Sequence, residues 1–398
     1  MRLYDTAQRA VVPFEPKATT SRTAVGLYVC GITPYDSTHL GHAATYLTYD
    51  LLIRRLVDLG HDVRYVRNIT DVDDSILPKA RELGVHYLDL AAQEVARFQA
   101  DMDALEMRAP DAEPRATEAI AGIVDLVDQL LDRGHAYMTA GTVYFDISSF
   151  PTYGQLSRYP EDRMIKLART RGGNPDDPHR RHPLDFVLWQ PSLPDEPAWP
   201  APFGVGRPGW HIECSAMAMA EHGETIDLHG GGTDLIFPHH ECEIAQSEAL
   251  TGVPFVRHWM HSAMVNYEGE KMSKSLGNLV FVSDLRTKAD PRAIRLALMR
   301  HHYRSGFEWF DTDIDEGVAL LNRLLAAAKA MAGPDPRPFA TRVRDALDND
   351  LDAPRALDAL ADLADAVLSG GTDPDAPHAL RLLGNLLGVD LARPVAIG

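Results

Sequence analysis

Two histidines and two lysines occur in short motifs that suit the chemistry of a polyphosphate. His39 and His42 flank Gly41 in HLGH, where a predicted strand and loop run into a predicted helix. Backbone N–H groups and the helix dipole favour negative charge there, Gly41 permits close approach of a nucleotide, and imidazoles can donate to phosphate oxygens. Lys271 and Lys274 stand in KMSKS, where lysines on a closing loop can neutralise a leaving pyrophosphate. Taken alone, either motif also fits ordinary surface residues.

The cysteines form a sparse set that does not predict disulfides. Cys30, Cys214 and Cys242 are the only three, and this odd number favours reduced thiols in a cytosolic protein. Cys214 lies in GWHIECS, and Cys242 lies in FPHHECE between His239 and Glu243. Spacing alone does not indicate a zinc site, because structural zinc sites usually use closely paired ligands.

The composition indicates a globular protein with an acidic surface. The 398 residues, 45% of them hydrophobic, can bury the cores of two or three domains. The formal net charge of −18 repels a polyanion, which argues against extensive binding of nucleic acid. We expect neither a signal peptide in residues 1–28 nor a membrane-spanning helix, since no window holds 18 uninterrupted apolar residues.

The elements that position the first motif have the pattern of a doubly wound α/β sheet. We predict a strand at 25–29, a loop at 30–38, a helix at 39–59 and a parallel strand at 61–69. An insertion follows at about 85–205. It is predicted to contain helices at 88–107 and 116–133, a strand at 142–147, and proline-rich ordered loops at 157–207.

The second half of the sheet and a helical bundle complete the predicted fold. A strand at 226–228 is expected to run into the glycines at 230–232, and a helix is expected at 241–250. Residues 1–310 are thus predicted to form a Rossmann-like catalytic domain, and residues 311–398 a C-terminal helical bundle. The predicted bundle helices are 317–331, 339–347, 354–368 and 379–387.

HLGH and KMSKS, more than 200 residues apart in this order, resemble the signatures of the class I aminoacyl-tRNA synthetases. The resemblance implies a Rossmann-like parallel sheet that binds ATP, with Mg²⁺, between the two motifs and forms an aminoacyl adenylate. It implies that His39, His42, Lys271 and Lys274 stabilise the transition state of adenylation.

The YVCG, GWHIECS and FPHHECE segments are similar to those of cysteinyl-tRNA synthetase, which hold one zinc ion. The resemblance implies Cys30, Cys214 and His239 as zinc ligands. Zinc with an open position binds a thiolate and discriminates against a serine hydroxyl, so no editing domain is required. Glu243 is left open as a fourth ligand, a neighbour of the site or a helix-surface carboxylate, and Cys242 as a further ligand. His211 and His240 are expected to form hydrogen bonds in the pocket.

The same resemblance implies further residues that contact the nucleotide or cysteine. Trp210 can equally fill core, and the role of the TRGGNP segment at 170–175 is open. The implied binding residues are Cys30, Gly31, Ile32, Thr33, Gly41, Thr45, Asn68, Ile69, Thr70, Trp210, Gly232, Thr233, Asp234 and Val265.

The first motif block distinguishes two related families. It reads CGITPYD followed by THLGHAATY, where cysteinyl-tRNA synthetases typically read CGPTVYD, and so resembles the mycothiol-pathway cysteine:glucosaminyl-inositol ligases. Residues 388–398 are too few for an anticodon-binding domain, which agrees with that family.

The ligase resemblance implies a cytoplasmic monomer that uses cysteine, ATP and glucosaminyl-inositol, and neither nucleic acid nor membrane. In that reaction the sugar amine attacks cysteinyl adenylate and AMP is released. A shortened cysteinyl-tRNA synthetase and a non-catalytic synthetase-like binding protein are the alternatives.

Overall fold

The computed structural model describes residues 1–16, 24–35, 38–272 and 277–394. Among these residues, no helix has both the length and the apolar character needed to cross a membrane. The strands are β1 Arg2–Asp5, β2 Ala10–Pro13, β3 Ala24–Ile32, β4 Asp62–Ile69, β5 Ala136–Thr139, β6 Thr142–Phe145, β7 Phe186–Gln190, β8 Arg207–Pro208, β9 Leu228–Gly232, β10 Trp259–Ser262, β11 Val265–Tyr267, β12 Glu270–Lys271 and β13 Phe307–Glu308. The helices are α1 Leu40–Asp58, α2 Ile76–Leu83, α3 Tyr87–Ala104, α4 Ile120–Asp132, α5 Glu161–Thr170, α6 Trp210–His222, α7 Glu241–Thr251, α8 Val282–Leu285, α9 Pro291–Met299, α10 Asp313–Ala327, α11 Arg337–Asp348, α12 Ala353–Leu368 and α13 Ala376–Leu386.

A four-stranded parallel sheet positions the predicted motifs. Its strand order is β10-β9-β3-β4, and helix α1 connects β3 to β4 as predicted. Strand β3 pairs with β4 on one side and with β9, from the second half of the sheet, on the other, so the carboxyl edge between β3 and β9 is a topological switch point. Ligands of open α/β sheets bind at such edges. The predicted doubly wound α/β architecture is confirmed.

Strand β3 presents its alternate side chains to different parts of the molecule. Leu27 and Val29 belong to a core shared with α1 and the C-terminal helices, whereas Tyr28 and Cys30 pack in a second cluster with α6 and α7. This follows from the period of two along a strand. Cys30 therefore faces the helix that carries Cys214.

The glycines of the central sheet continue strand β9 and do not follow it as a turn. The strand was predicted to end at residue 228, but it begins at Leu228 and runs through Gly232. A Cβ on Gly230 would lie 2.2 Å from the Tyr49 hydroxyl and 2.3 Å from the Met260 carbonyl oxygen. Glycine normally weakens a strand. Its presence in β9 is explained by the close packing of α1 and β10 against this strand.

The insertion between β4 and α6 contains an antiparallel sheet of order β5-β6-β7-β8. The helices predicted at 88–107 and 116–133 and the strand at 142–147 are present as α3, α4 and β6. The prediction that 157–207 is loop was wrong, because α5 and β7 lie in it. Both are short elements between prolines. Helix α5 buries only Met164 and Ala168, and the apolar run of β7 was too brief to show a period.

The four predicted C-terminal helices are present as α10 to α13. Their buried faces belong to the same hydrophobic cluster as α1 and β3, with Leu324, Leu360 and Leu383 among its members. The core therefore continues from the sheet into these helices. The domain boundary near residue 310 stays a prediction.

A buried ion pair joins the sheet, the insertion and the C-terminal helices. Arg295 donates to the carboxylate of Asp50, to the Leu387 carbonyl at 2.8 Å and to the Leu105 carbonyl at 3.0 Å. Asp50 also accepts from the Arg54 side chain at 2.7 Å and the Arg108 backbone at 2.8 Å. Burial would raise the pKa of Asp50, but Arg295 and Arg54 hold it below its ordinary value.

We expect Arg295→Met to lower the free energy of unfolding by about 3–5 kcal/mol, because it leaves a buried carboxylate undercompensated. Urea unfolding followed by circular dichroism measures the change. Arg300→Met is the matched control, since Arg300 makes an exposed ion pair with Glu316 at 2.8 Å. Its expected loss is about 1 kcal/mol or less. Equal losses in the two variants would contradict this role for Arg295.

Candidate functional site

Four buried side chains converge beyond the carboxyl edge of β3. They are Cys30 of β3, Cys214 of α6, His239 just before α7, and Glu243 in the first turn of α7. One donor atom from each lies within 4.8 Å of the other three. The structure thus brings together the three ligands predicted from sequence, and it places Glu243, whose role the sequence left open, beside them.

The donor atoms of this cluster suit a zinc ion. His239 Nε2 and Glu243 Oε2 lie 3.6 Å apart, both residues are 0% exposed, and neither atom has a hydrogen-bond partner. Unsatisfied buried polar atoms cost about 1–3 kcal/mol each, so their convergence indicates a missing partner. Burial raises the pKa of Cys30 and Glu243 and lowers that of His239. Two sulfurs, an imidazole nitrogen and a carboxylate oxygen are zinc donors, and a cation would favour the thiolates.

Neighbouring side chains orient His239 toward the cluster. The Nδ1 atoms of His211 and His239 lie 2.9 Å apart, within hydrogen-bond distance. The Trp210 ring stacks on the His239 ring, with centroids 4.2 Å apart. Because Nδ1 is thus occupied, Nε2 remains for a metal, a common arrangement around ligating histidines. Trp210 therefore supports the cluster and does not simply fill core.

Glu243 divides its two carboxylate oxygens between different neighbours. Oε1 lies 3.2 Å from His229 Nε2, while Oε2 faces His239. His229 and His240 form a second possible donor group with Cys30 and Glu243. The structure therefore places Glu243 among the possible ligands and excludes a helix-surface position, since it is fully buried.

A chain of hydrogen bonds leads from Cys30 through two histidines. His240 Nε2 lies 3.3 Å from Cys30 Sγ, and its Nδ1 lies 2.7 Å from His261 Nε2. His261 Nδ1 is in turn 2.7 Å from the Thr6 hydroxyl. His229 and His261 are candidate site residues that were not predicted from the sequence. The local signal is slight, because each stands in a short strand where a buried histidine needs partners, but those partners depend on strand register and packing.

Gly231 makes the space in which this cluster forms. A Cβ on Gly231 would lie 2.6 Å from Leu235 Cδ1 and 3.6 Å from both Cys30 Cβ and His240 Cε1. A side chain there would require Leu235 to move and would contact Cys30 and His240 of the donor groups. The glycine run of β9 therefore serves the site as well as sheet packing.

Cys242 lies apart from the donor cluster. Its Sγ is 3.5 Å from the Tyr153 hydroxyl, and the side chain packs in an apolar cluster with Phe186 and Ile212. It occurs in neither donor group. The structure therefore does not favour Cys242 as a ligand.

The HLGH motif lies at the N-terminus of α1. His39 caps the helix, its Nδ1 accepting from the Gly41 backbone at 3.1 Å, and its ring stacks on His42 with centroids 3.9 Å apart. Thr45 donates to the Gly41 carbonyl at 3.1 Å and accepts from Ser262 of β10 at 2.9 Å. The motif is thus held at the helix terminus, beside the end of β10, as an anion site requires.

The predicted residues at the ends of β3 and β4 are linked to one another. The Gly31 backbone donates to Asn68 Oδ1 at 2.8 Å, Asn68 donates to the Thr70 hydroxyl at 3.1 Å, and the Thr70 backbone donates to the Ile32 carbonyl at 3.0 Å. A Cβ on Gly31 would lie 1.5 Å from the Asn68 carbonyl oxygen. Ile69 ends β4 beside them.

The TRGGNP segment contacts the turn that follows β9. Arg171 donates to the carbonyls of Asp234 and Phe237. Gly232 adjoins this turn, and a Cβ on Gly232 would lie 2.5 Å from Asp234 Oδ1. The segment therefore fixes the turn that leads from the glycine-rich strand to the FPHHECE motif.

Other predicted residues are distributed around the edge of the sheet. Thr33 and Trp210 line one cavity of about 370 Å³, whereas Thr233 lines a separate hollow with His261. Val265 is buried at the start of β11. The side chain of Lys271 and all of Lys274 lie outside the part of the chain that the structure describes.

Comparison with known proteins identifies close relatives by sequence. Residues 16–319 match the model of the class I (C) tRNA synthetase catalytic domain. A relative from Streptosporangium roseum, named L-cysteine:1D-myo-inositol 2-amino-2-deoxy-alpha-D-glucopyranoside ligase, is 47% identical over 98% of this chain and 96% of its own length. A relative of the same name from Mycobacterium ulcerans is 49% identical, with the same two coverages.

Solved structures share the fold at much lower identity. Mycobacterium tuberculosis methionyl-tRNA synthetase in complex with methionyl-adenylate has a TM-score of 0.64 at 18% identity, covering 92% of this chain and 89% of that one. The Agrobacterium radiobacter K84 agnB2 LeuRS–tRNA–LeuAMS complex has a TM-score of 0.67 at 13% identity, covering 94% and 84%. At these identities the likeness shows the fold alone.

If the donor cluster holds zinc, Cys214→Ser should lose most of that metal on dialysis, because a hydroxyl replaces a thiolate donor. Elemental analysis of the dialysed protein measures the metal-to-protein ratio. Cys242→Ala is the matched control, because Cys242 is equally buried but outside the donor groups, and it should keep the wild-type ratio. Equal zinc loss in both variants, or in neither, would show that the donor cluster is wrongly assigned.

Proposed function

The chain belongs to the family of L-cysteine:1D-myo-inositol 2-amino-2-deoxy-alpha-D-glucopyranoside ligases, and we propose that it joins cysteine to that amino sugar through a cysteinyl adenylate. It contains the class I (C) tRNA synthetase catalytic domain. The observation that carries the proposal is the sequence identity of 47% and 49% to two ligases of that name, over 98% of this chain and 96% of each relative. The buried sulfur-containing donor cluster supports cysteine as the activated amino acid.

The first step forms the adenylate at the carboxyl edge of the sheet. An oxygen of the cysteine carboxylate attacks the α-phosphorus of ATP, supplied as its Mg²⁺ complex, and the bond to pyrophosphate breaks. His39 and His42, at the N-terminus of α1, are proposed to stabilise the charge that develops on the phosphate oxygens. Lys271 and Lys274 are proposed to neutralise the leaving pyrophosphate.

The second step transfers the cysteinyl group. The sugar amine attacks the acyl carbon, a C–N bond forms, and the C–O bond to the phosphate breaks. AMP leaves with the bonding electron pair, and the nitrogen gives up a proton. No covalent bond to the enzyme is needed, so the chain contributes mainly orientation of the two reactants.

The donor cluster is proposed to select cysteine. A zinc ion held by Cys30, Cys214 and His239, with Glu243 as fourth ligand or neighbour, would bind the substrate thiolate and discriminate against serine. His211 and Trp210 keep His239 in position, and His229 orients Glu243. Because these residues are buried, the selection would take place away from bulk water.

Other substrate contacts follow from the residues at the strand ends. We propose that Gly31, Ile32, Thr33, Asn68, Ile69 and Thr70 bind cysteine or the adenylate, and that Gly41, Thr45, Gly232, Thr233, Asp234 and Val265 surround the nucleotide. We also propose that the enzyme works as a cytoplasmic monomer without nucleic acid or membrane.

We expect the amino sugar, and not tRNA, to stimulate the cysteine-dependent release of AMP from ATP. Zinc-loaded protein is incubated with ATP and cysteine, and then with glucosaminyl-inositol or with cysteine-accepting tRNA, while AMP is measured over time. A reaction without cysteine is the control. Stimulation by tRNA alone would identify a cysteinyl-tRNA synthetase, and absence of cysteine-dependent pyrophosphate exchange would indicate a non-catalytic protein.

A further inference from the structure

A cavity of about 370 Å³ lies between the insertion and the carboxyl edge of the sheet. One wall is formed by Thr33, Asp73 and Ser75, another by Arg171 and Arg180, and Trp210 lies among the lining residues. The volume lies within the range of small-molecule pockets. Of the lining residues, only Thr33, Trp210 and His211 have a part in the proposed reaction.

The cavity is adjacent to the proposed cysteine site. Trp210 lines it and also stacks on His239 of the donor cluster, with ring centroids 4.2 Å apart. His211, another lining residue, lies 2.9 Å from the same histidine. A molecule in the cavity would therefore be one side chain away from a cysteine bound at the cluster.

The wall near Thr33 carries acidic groups that favour an ammonium group. Asp73 Oδ1 accepts from the backbones of Ser75 and Ile76 at 2.7 and 2.9 Å, whereas Oδ2 accepts a long hydrogen bond of 3.3 Å from the Thr33 hydroxyl. Burial raises the pKa of Asp73, and so does the adjacent Asp74, which also lines the cavity and is paired with Arg207. A cationic amine beside Asp73 would favour its carboxylate form, whereas a phosphate would be repelled by it.

The side of the cavity that Arg171 and Arg180 line carries positive charge. Arg180 is largely buried, and its Nη1 donates to the Asp185 carbonyl, while Arg171 donates to the carbonyls of Asp234 and Phe237. Both guanidinium groups are thus held by backbone oxygens at the edge of the cavity.

We infer that this cavity binds the amino-sugar acceptor, with Asp73 accepting hydrogen bonds from its ammonium or amine group. The inference rests on the proposed function and assigns the substrate site that the function requires. A polyol with one amine matches a lining that combines carboxylates, guanidinium groups and aromatic rings. Binding there would place the acceptor next to the proposed cysteine site.

Two variants test the acceptor site, with the amino sugar itself as the probe. Asp73→Asn preserves the shape and removes the charge, and Ser75→Trp narrows the cavity from an exposed position at the start of α2. We expect each to raise the KM for glucosaminyl-inositol roughly ten- to a hundredfold, Asp73→Asn through the loss of a charge-assisted hydrogen bond and Ser75→Trp through the space that its ring occupies. The KM for cysteine in pyrophosphate exchange should change far less, and this exchange also reports that the variants are folded.

Glu82→Trp is the matched control, because Glu82 is an exposed residue of the same helix and does not line the cavity. Its KM for the amino sugar should equal that of the wild type. An unchanged acceptor KM in Asp73→Asn and Ser75→Trp, or a rise confined to the KM for cysteine, would overturn the assignment. If the amino sugar fails to stimulate AMP release by the wild-type protein, the proposed function itself is wrong, and the assignment with it.

Discussion

Two thiols, an imidazole and a carboxylate lie within 4.8 Å of one another in a space closed to water. Such a group is unfavourable as it stands, because buried donors and acceptors without partners cost free energy. A bound cation would remove that cost, provided that β3, α6 and α7 all hold their donor atoms at the site. Strand β3 and helices α6 and α7 are therefore coupled through the site as well as through the core.

The topology of the sheet brings these distant residues together. Parallel strands end at one edge, and the alternation along β3 turns Cys30 toward α6 while Leu27 and Val29 enter the core under α1. The missing side chain of Gly231 leaves room beside Cys30 and His240. The same edge holds HLGH at the start of α1, so that one edge carries both the polyphosphate motif and the thiol-containing cluster.

The parts of the fold and site that could be predicted are those with a local signal. The helix after HLGH and the C-terminal helices have clear apolar periods, and the motifs near Cys30, Cys214 and His239 resemble known segments. Residues 157–207 were predicted to be loops, wrongly, because α5 and β7 are brief and bury few side chains each. His229 and His261 were missed for a different reason. Their roles depend on strand register and packing, which single sequences do not specify.

The proposed selection of cysteine requires that this cluster hold zinc and that the metal bind the thiol of the substrate. Zinc K-edge X-ray absorption of the purified protein, before and after addition of cysteine, counts the sulfur atoms bound to the metal. We expect two sulfur ligands, from Cys30 and Cys214, before cysteine is added, and three afterwards. A sulfur count that does not change with cysteine, or a metal without sulfur ligands, would contradict the account.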